Sequence, residues 1–367
     1  MRFIFSIALV FLSIISFAQN NTYYMLAGSY SNDGISVYRF NAQRGITTFV
    51  KKVSDAANVS YMVVSPNQKF VYAVNETAGK PEINAFSFDK TKGELKLLNK
   101  QAANDGPCYI TIDSTGKFIV IAEYGNGSVS VYKTNADGSL SPKVQTITHE
   151  GYGIVYERQD KSHVHSVVFS PDQKYLFAAD LGNDRLYQYK FDKNAAEPLS
   201  PAETPYYTVT DGSGPRLFMF HPNGKTAYLV NELTGDVIVY SYNNGQLQEI
   251  QTIASATAGG KYEQGSADIH ITPNAKFLYV SNRGISNNVA VFSITAEGKL
   301  NRTGEKAVNA HPRGFNIDPT GKFVVVASRD QNTIQVFSVN PNFGLLEEAG
   351  QAVSIDKPVF LIMLPAK

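Results

Sequence analysis

The sequence predicts an all-β fold, a seven-bladed β-propeller, and three observations carry that prediction. A hairpin phrase centred on a Pro-Asn/Asp-x-Lys turn recurs six times along the chain. An outer-strand phrase recurs seven times and gives an independent count. The two ends of the chain then supply the two halves of the hairpin that is missing.

The hairpin turns are Ser65–Phe70, Asp113–Phe118, Ser170–Tyr175, His221–Lys225, Thr272–Phe277 and Asp318–Phe323. Their lysines fall at 69, 117, 174, 225, 276 and 322, in steps of 48, 57, 51, 51 and 46 residues. A period in this range marks a stacked or radial repeat. Pro presets φ for the turn, and Asn, Asp or Gly tolerates the tight bend. Strand-length β-branched and aromatic runs flank each turn, such as Ile110–Ile112 before and Phe118–Ala122 after, and read as buried strands.

The outer-strand phrases are Gly34–Tyr38, Glu82–Phe86, Ser128–Tyr132, Arg185–Tyr189, Val237–Tyr240, Asn288–Phe292 and Thr333–Phe337. Most lead through a turn to Gly-x-Leu or a near variant. Tyr23–Gly28 resembles the strand after a turn, and Pro358–Ile362 the strand before one. Blade 1 is therefore expected to close by pairing the N- and C-terminal strands, which removes the free edges of an open sheet.

The repeat fills nearly all of the chain after residue 20 without a linker, so residues 19–367 read as one domain. Lys and Arg number 33 against 32 Asp and Glu, a net charge of +1 that argues against nucleic acid or an anionic membrane as a partner. Residues 1–18 are different in kind. A positive start, an apolar run from Phe3 to Phe17 and the small residue Ala18 describe a secretory signal peptide, without a following cysteine for a lipid anchor. The mature protein is expected to be exported, to a periplasm or outside the cell, with no membrane attachment and no obligate protein partner. The single cysteine, Cys108, forbids an intrachain disulfide and reads as a small buried residue.

Aligning the hairpins exposes the candidate site. Six positions before the turn proline, or before Ser114, stand Ser60, Cys108, His165, Arg216, Ala267 and Arg313. Seven positions after the turn lysine stand Glu76, Tyr124, Leu181, Glu232, Arg283 and Arg329. One step earlier on that arm lie Asn75, Glu123, Asp180, Asn231, Asn282 and Ser328. Both arms end far from the turn, hence at one mouth of the channel. Charge is out of place among inner strands, so this cluster is the informative feature. A ring of structural ion pairs would explain it equally well, but the arginines exceed what a neutral ring needs. Arg is suited to carboxylate or phosphate.

His163 and His165 fall on one face of an extended segment, and read as a base with an orienting neighbour. A zinc site lacks a third ligand at matching spacing. A calcium site at Asn75, Glu76, Asn231 and Glu232 would meet repelling arginines. No metal and no cofactor is expected. Gly-x-Ser-x-Gly, phosphate-loop and Cys-x-x-Cys motifs are missing from the sequence. Gly212–Pro215 precedes a strand and reads as a loop that aims Arg216.

Several of these segments together resemble the propeller-type lactonase family, the 6-phosphogluconolactonase and carboxymuconate cyclase-like proteins. They are Arg158-Gln159 with His163–Val167, Asp180–Arg185, Gly214–Arg216 with Phe220–Lys225, Val230–Leu233, Ser281–Gly284 and Pro312–Pro319. The resemblance spans essentially the whole mature chain. It implies catalytic roles for His165, Arg216, Glu232 and Arg283, the residues the alignment also collects. His163, Glu76, Arg313, Arg329, Asn231 and Asn282 are then candidate substrate-binding residues. The implied activity is hydrolysis of a sugar-derived lactone, an aldonolactone or its 6-phosphate, with a small anionic lactone or sugar acid as ligand. A non-catalytic propeller binding sugar acids or a protein, and a lactone-forming cycloisomerase, are the alternatives. Two positions depart from the family pattern: Leu217 replaces a usual histidine, and Ser328-Arg329 replaces a common Asn-Gln. An exported chain also sits oddly with a cytosolic phosphosugar substrate.

Overall fold

The computed structural model describes residues 21–256 and 258–366, and the expected leader at 1–18 lies outside them. Seven antiparallel sheets form the blades of a propeller. Blade 4 is representative, running outward through Val164–Phe169, Tyr175–Asp180, Arg185–Phe191 and Leu199–Thr208. Blade 7 divides its outer edge, with Leu346–Glu348 and Val353–Ser354 both pairing with Thr333–Val339. Blade 1 closes as the sequence predicts: Pro358–Pro365 is its innermost strand and pairs with Thr22–Ser29, Leu26 opposite Ile362. The innermost strands contact one another around the axis, and Pro358–Pro365 bridges Pro312–Ile317 and Val59–Val64.

Side chains alternate across a strand, so each sheet presents two faces that need cover. Seven apolar clusters provide it, one in each gap between adjacent blades. Tyr24, Leu26, Phe86 and Phe360 fill the gap between blades 1 and 2. Phe277, Phe315 and Phe337 fill the gap between blades 6 and 7. Each fully buried aromatic stabilises by about 1.5–3 kcal/mol, and every cluster draws its members from two adjacent blades. A single blade cannot therefore hold itself together.

One expectation needs correction. The seven phrases read as outer strands are the third strands of four, sandwiched and mostly buried, as in Asp236–Asn243. Their apparent alternation comes from small polar residues that are themselves buried, such as Ser36, Asn84 and Ser130. The true edge is the strand entered through Gly-x-Leu, such as Gln246–Ala254, where alternate residues face solvent. Among the described residues no helix is long and apolar enough to cross a membrane.

Candidate active site

The inner strands share a local irregularity that explains the mouth. Register slips between Val59 and Tyr61, Pro107 and Tyr109, Val164 and Ser166, Pro215 and Leu217, and Pro312 and Gly314. The skipped residues are Ser60, Cys108, His165, Arg216 and Arg313, five of the row aligned from sequence. Blade 6 slips between Ser266 and Ile269, skipping Ala267 with Asp268, and blade 1 skips Val359. A bulge leaves one residue out of the ladder and re-aims its side chain. The repeat thus turns one position per blade toward a common point.

At that point four residues from three blades form a chain of contacts. Arg216 Nη1 lies 2.6 Å from His165 Nε2, and its Nε donates to the Ala267 carbonyl at 2.8 Å. The same Nη1 bonds Glu232 Oε2, which Arg283 Nη2 also reaches at 3.0 Å. Arg283 Nε donates to the Gly265 carbonyl at 2.9 Å. Arg158 Nη2 takes the other carboxylate oxygen, Oε1, at 2.5 Å. The loop before Arg216 is anchored from blade 4, since Asp184 accepts the N–H groups of Gly212 and Gly214 at 2.7 and 2.8 Å.

Arginine has only donors, so the His165 nitrogen facing Arg216 must be the acceptor and the ring carries its proton on Nδ1. That nitrogen lies 3.8 Å from the Cys108 sulfur. Burial, reinforced by the Arg216 charge, holds His165 well below the ordinary histidine value of 6.5, so the ring is neutral. Burial alone would raise the Glu232 carboxyl, but Arg283, Arg216 and Arg158 outweigh it and hold it well below 4.5. Burial pulls Arg283 down to about 10 against the attraction of Glu232. Three guanidiniums face one carboxylate, an excess of two positive charges at a water-poor mouth.

Above this cluster opens a cleft of about 350 Å³ walled by Arg158, Glu232, Tyr262, Glu263, Arg283 and His311. Below it, His165, Arg216, Arg313 and Asp268 border a void of about 10 Å³, room for a single water. Tyr61 lines the void, its ring tilted between those of Tyr109 and Phe360 at centroid distances of 4.2 and 4.1 Å. Among the described residues no three His, Cys, Asp or Glu side chains are grouped to hold a metal.

The profile of the family described as Lactonase, 7-bladed beta-propeller matches residues 24–363. The chain belongs to the propeller lactonase family. A 6-phosphogluconolactonase of Formosa agariphila is 37% identical over 346 residues, 90% of this chain and 97% of that one. The corresponding protein of Bacillus subtilis is 32% identical, over 89% of this chain and 93% of the other. The crystal structure of a Bacteroides fragilis protein described provisionally as a 6-phosphogluconolactonase superposes with TM-score 0.91 at 39% identity, covering 95% and 99% of the two chains. A periplasmic gluconolactonase of Pseudomonas aeruginosa superposes with TM-score 0.90 at 33% identity, covering 94% and 100%.

In this propeller lactonase His165, Arg216, Glu232 and Arg283 stand together, and the other candidates divide. Arg313 borders the same void; its guanidinium reaches Glu76 at 3.5 Å and lies 5.0 Å over the Tyr30 ring. Arg329 sits outside the cluster, bonded to Asp330 at 2.6 Å and to His311 at 3.2 Å. His163 does not orient His165. It stacks on Tyr124 at 4.3 Å and bonds the Tyr124 carbonyl and Asp160, both at 2.9 Å. Asn231 and Asn282 are spent on structural hydrogen bonds, Asn231 within its own blade and Asn282 within its blade and to Ser255 of the segment leading into it. Asn231 donates to Asp236 at 2.6 Å, and Asn282 bonds Ser266 at 2.6 Å and Asn288 at 2.8 Å. Adjacent strand residues face opposite ways. The row containing Glu232 and Arg283 turns to the mouth, and the row one step earlier ties down loops.

Sequence reasoning placed Arg158 in a motif and Tyr124 in an aligned row without giving either a role, and gave none to Tyr30 or His311. The signal for Arg158 was available: the step of 57 between Lys117 and Lys174 is the longest and contains it. Glu232 does not serve as a base of raised pKa, because three arginines from segments distant in sequence lower it.

Proposed function

We propose that this protein is an exported lactone hydrolase that opens an unphosphorylated sugar lactone, of the gluconolactone class, to its acid. The observation that carries the reading is the contact chain His165–Arg216–Glu232–Arg283 at the floor of a cleft where Arg158, Arg216 and Arg283 converge on one carboxylate. Relatives named 6-phosphogluconolactonase support the lactone, and the relative named periplasmic gluconolactonase supports both the compartment and the lack of a phosphate. The leader read at 1–18 supports export independently.

In the proposed mechanism the lactone carbonyl oxygen displaces His165 as acceptor of the Arg216 N–H, with Arg283 as second donor. The Nε2 lone pair so released takes a proton from a water as its oxygen attacks the carbonyl carbon. Such general-base assistance contributes roughly 10²–10⁴ in rate. Arg216 and Arg283 hold the oxyanion that develops, and losing one such donor costs roughly 10²–10³. Collapse of the tetrahedral intermediate breaks the ring C–O bond. The imidazolium returns its proton to the departing alkoxide, the product acid releases its remaining proton to solvent, and the carboxylate stays among the arginines until it leaves. Glu232 remains ionised throughout, aligning the arginines and stabilising the transient imidazolium.

The test is hydrolysis by the mature protein of gluconolactone and 6-phosphogluconolactone side by side, with cell fractionation of the native chain. Faster turnover of the unphosphorylated lactone by an extracytoplasmic protein is the expected result. Tight gluconate binding without turnover would replace the hydrolase by a sugar-acid receptor.

A further inference from the structure

The segment joining blades 3 and 4 has a construction that the reaction above does not use. It is anchored at one end by His149, buried, with Nδ1 2.8 Å from Asp180 and the ring 3.8 Å from that of Tyr187. Its other end is anchored by Gln159, fully buried, whose amide donates to the Leu181 carbonyl at 2.8 Å. Between these pins Tyr152, Ile154 and Tyr156 are 79%, 59% and 75% exposed. Three large, mostly exposed side chains thus fall within the nine residues between the pins, a concentration of exposed apolar surface. Across the cleft Ile285, next to Gly284 in the cleft wall, is 67% exposed and offers an apolar counterpart.

Arg158 rides on this strap, one residue before the buried pin. Its side chain is 42% exposed, against 5% for Arg216 and 14% for Arg283. It is alone on Oε1 of Glu232, whereas Arg216 and Arg283 share Oε2. Its second partner is the Tyr124 side chain, and Arg158 can leave without stripping the buried carboxylate of Arg216 and Arg283. The guanidinium fork matches two oxygens of one oxyanion, and such bonds are among the stronger kind.

We propose that Arg158 is the specificity-determining arginine of this site, carried by the strap over the cleft and transferred from Glu232 to an oxyanion of the bound sugar. The inference rests on the lactonase reading for its substrate class. The oxyanion is either a phosphate on the lactone or the carboxylate of the product, and one set of measurements separates the two. Arg158→Gln and Arg158→Lys are compared with the parent for KM and kcat on gluconolactone and 6-phosphogluconolactone, and for inhibition by gluconate.

In the glutamine variant the constant that reads the oxyanion rises roughly 10–100-fold, the scale of one charge-assisted bond, while kcat falls much less. The lysine variant recovers part of the loss. A rise confined to the KM of the phosphorylated lactone assigns a phosphate, and one confined to the gluconate inhibition constant assigns the product carboxylate. Constants within twofold of the parent in both variants overturn the proposal, as does a fall in kcat of equal size on every substrate. If the parent turns over no lactone, the hydrolase reading fails by itself. Calorimetry with gluconate and inorganic phosphate then decides Arg158: weaker binding of either by the glutamine variant supports it, and equal binding overturns it.

Discussion

At the turn end of the inner hairpins, five copies do one job. The side chains of Ser65, Asp113, Ser170, Thr272 and Asp318 each accept the backbone N–H five residues on, at 3.0, 2.8, 3.0, 3.0 and 2.6 Å. At the opposite end the seven inner strands present Ser60, Cys108, His165, Arg216, Ala267, Arg313 and Val359, arginine alone occurring twice. Geometry is repeated at both ends, since every inner strand bulges there, but chemistry is repeated only at the turns. Where a repeat keeps its residues, it is holding the chain. Where it keeps only its shape, the position is free to carry a reaction.

The contrast can be broken most forcefully at the mouth. His165→Ala should lower kcat on the lactone by roughly 10²–10⁴ with the fold intact by circular dichroism. Retention of the parental rate would return His165 to the structural residues. Glu232→Gln should destabilise the unliganded protein by about 3–5 kcal/mol, because it leaves three buried or half-buried guanidiniums short of a counter-charge. Gluconate should restore part of that loss in thermal unfolding. An unchanged melting temperature would mean that the arginines do not depend on the carboxylate.

Acidity sharpens the same comparison. His165 and Glu232 both have depressed values in the folded state. Their contribution to stability is therefore present above the ordinary values of 6.5 and 4.5 and is lost as the pH falls toward the folded ones. The melting temperature should drop on acidification below pH 6.5, and the acid limb of kcat should lie below 6.5. A limb at or above that value would show a solvated, ordinary histidine.

At the turn end the effects are smaller and leave catalysis alone. Asp318→Ala removes the acceptor of the Phe323 and Thr320 N–H groups. It should cost about 1–3 kcal/mol in denaturant unfolding with unchanged kcat/KM. Smallest is Ala275→Gly: Ala275 sits at φ +56, a left-handed position that three other copies fill with glycine. A gain of at most about 1 kcal/mol is expected, read from the same unfolding curves.

The repeat made the fold and the row of bulged residues legible, because alignment places equivalent side chains at equivalent heights. It misplaced Asn231 and Asn282 because a single residue's shift along a strand reverses the direction of the side chain, and both columns are polar. It gave Arg158 no role because the strap has no counterpart in the other blades against which to align it. The sense of the Glu232 shift was beyond sequence altogether. It depends on how burial compares with three cations brought from positions 158, 216 and 283.

The bond between Thr22–Ser29 and Pro358–Pro365 has a consequence for biosynthesis. During translation the nascent polymer can assemble sheets two to seven in order, but the first has no axial strand until residues beyond 357 emerge from the ribosome. The circle must remain an open arc until that strand has been made. Its final step is then the docking of a single latch, whose removal should release both neighbours at once.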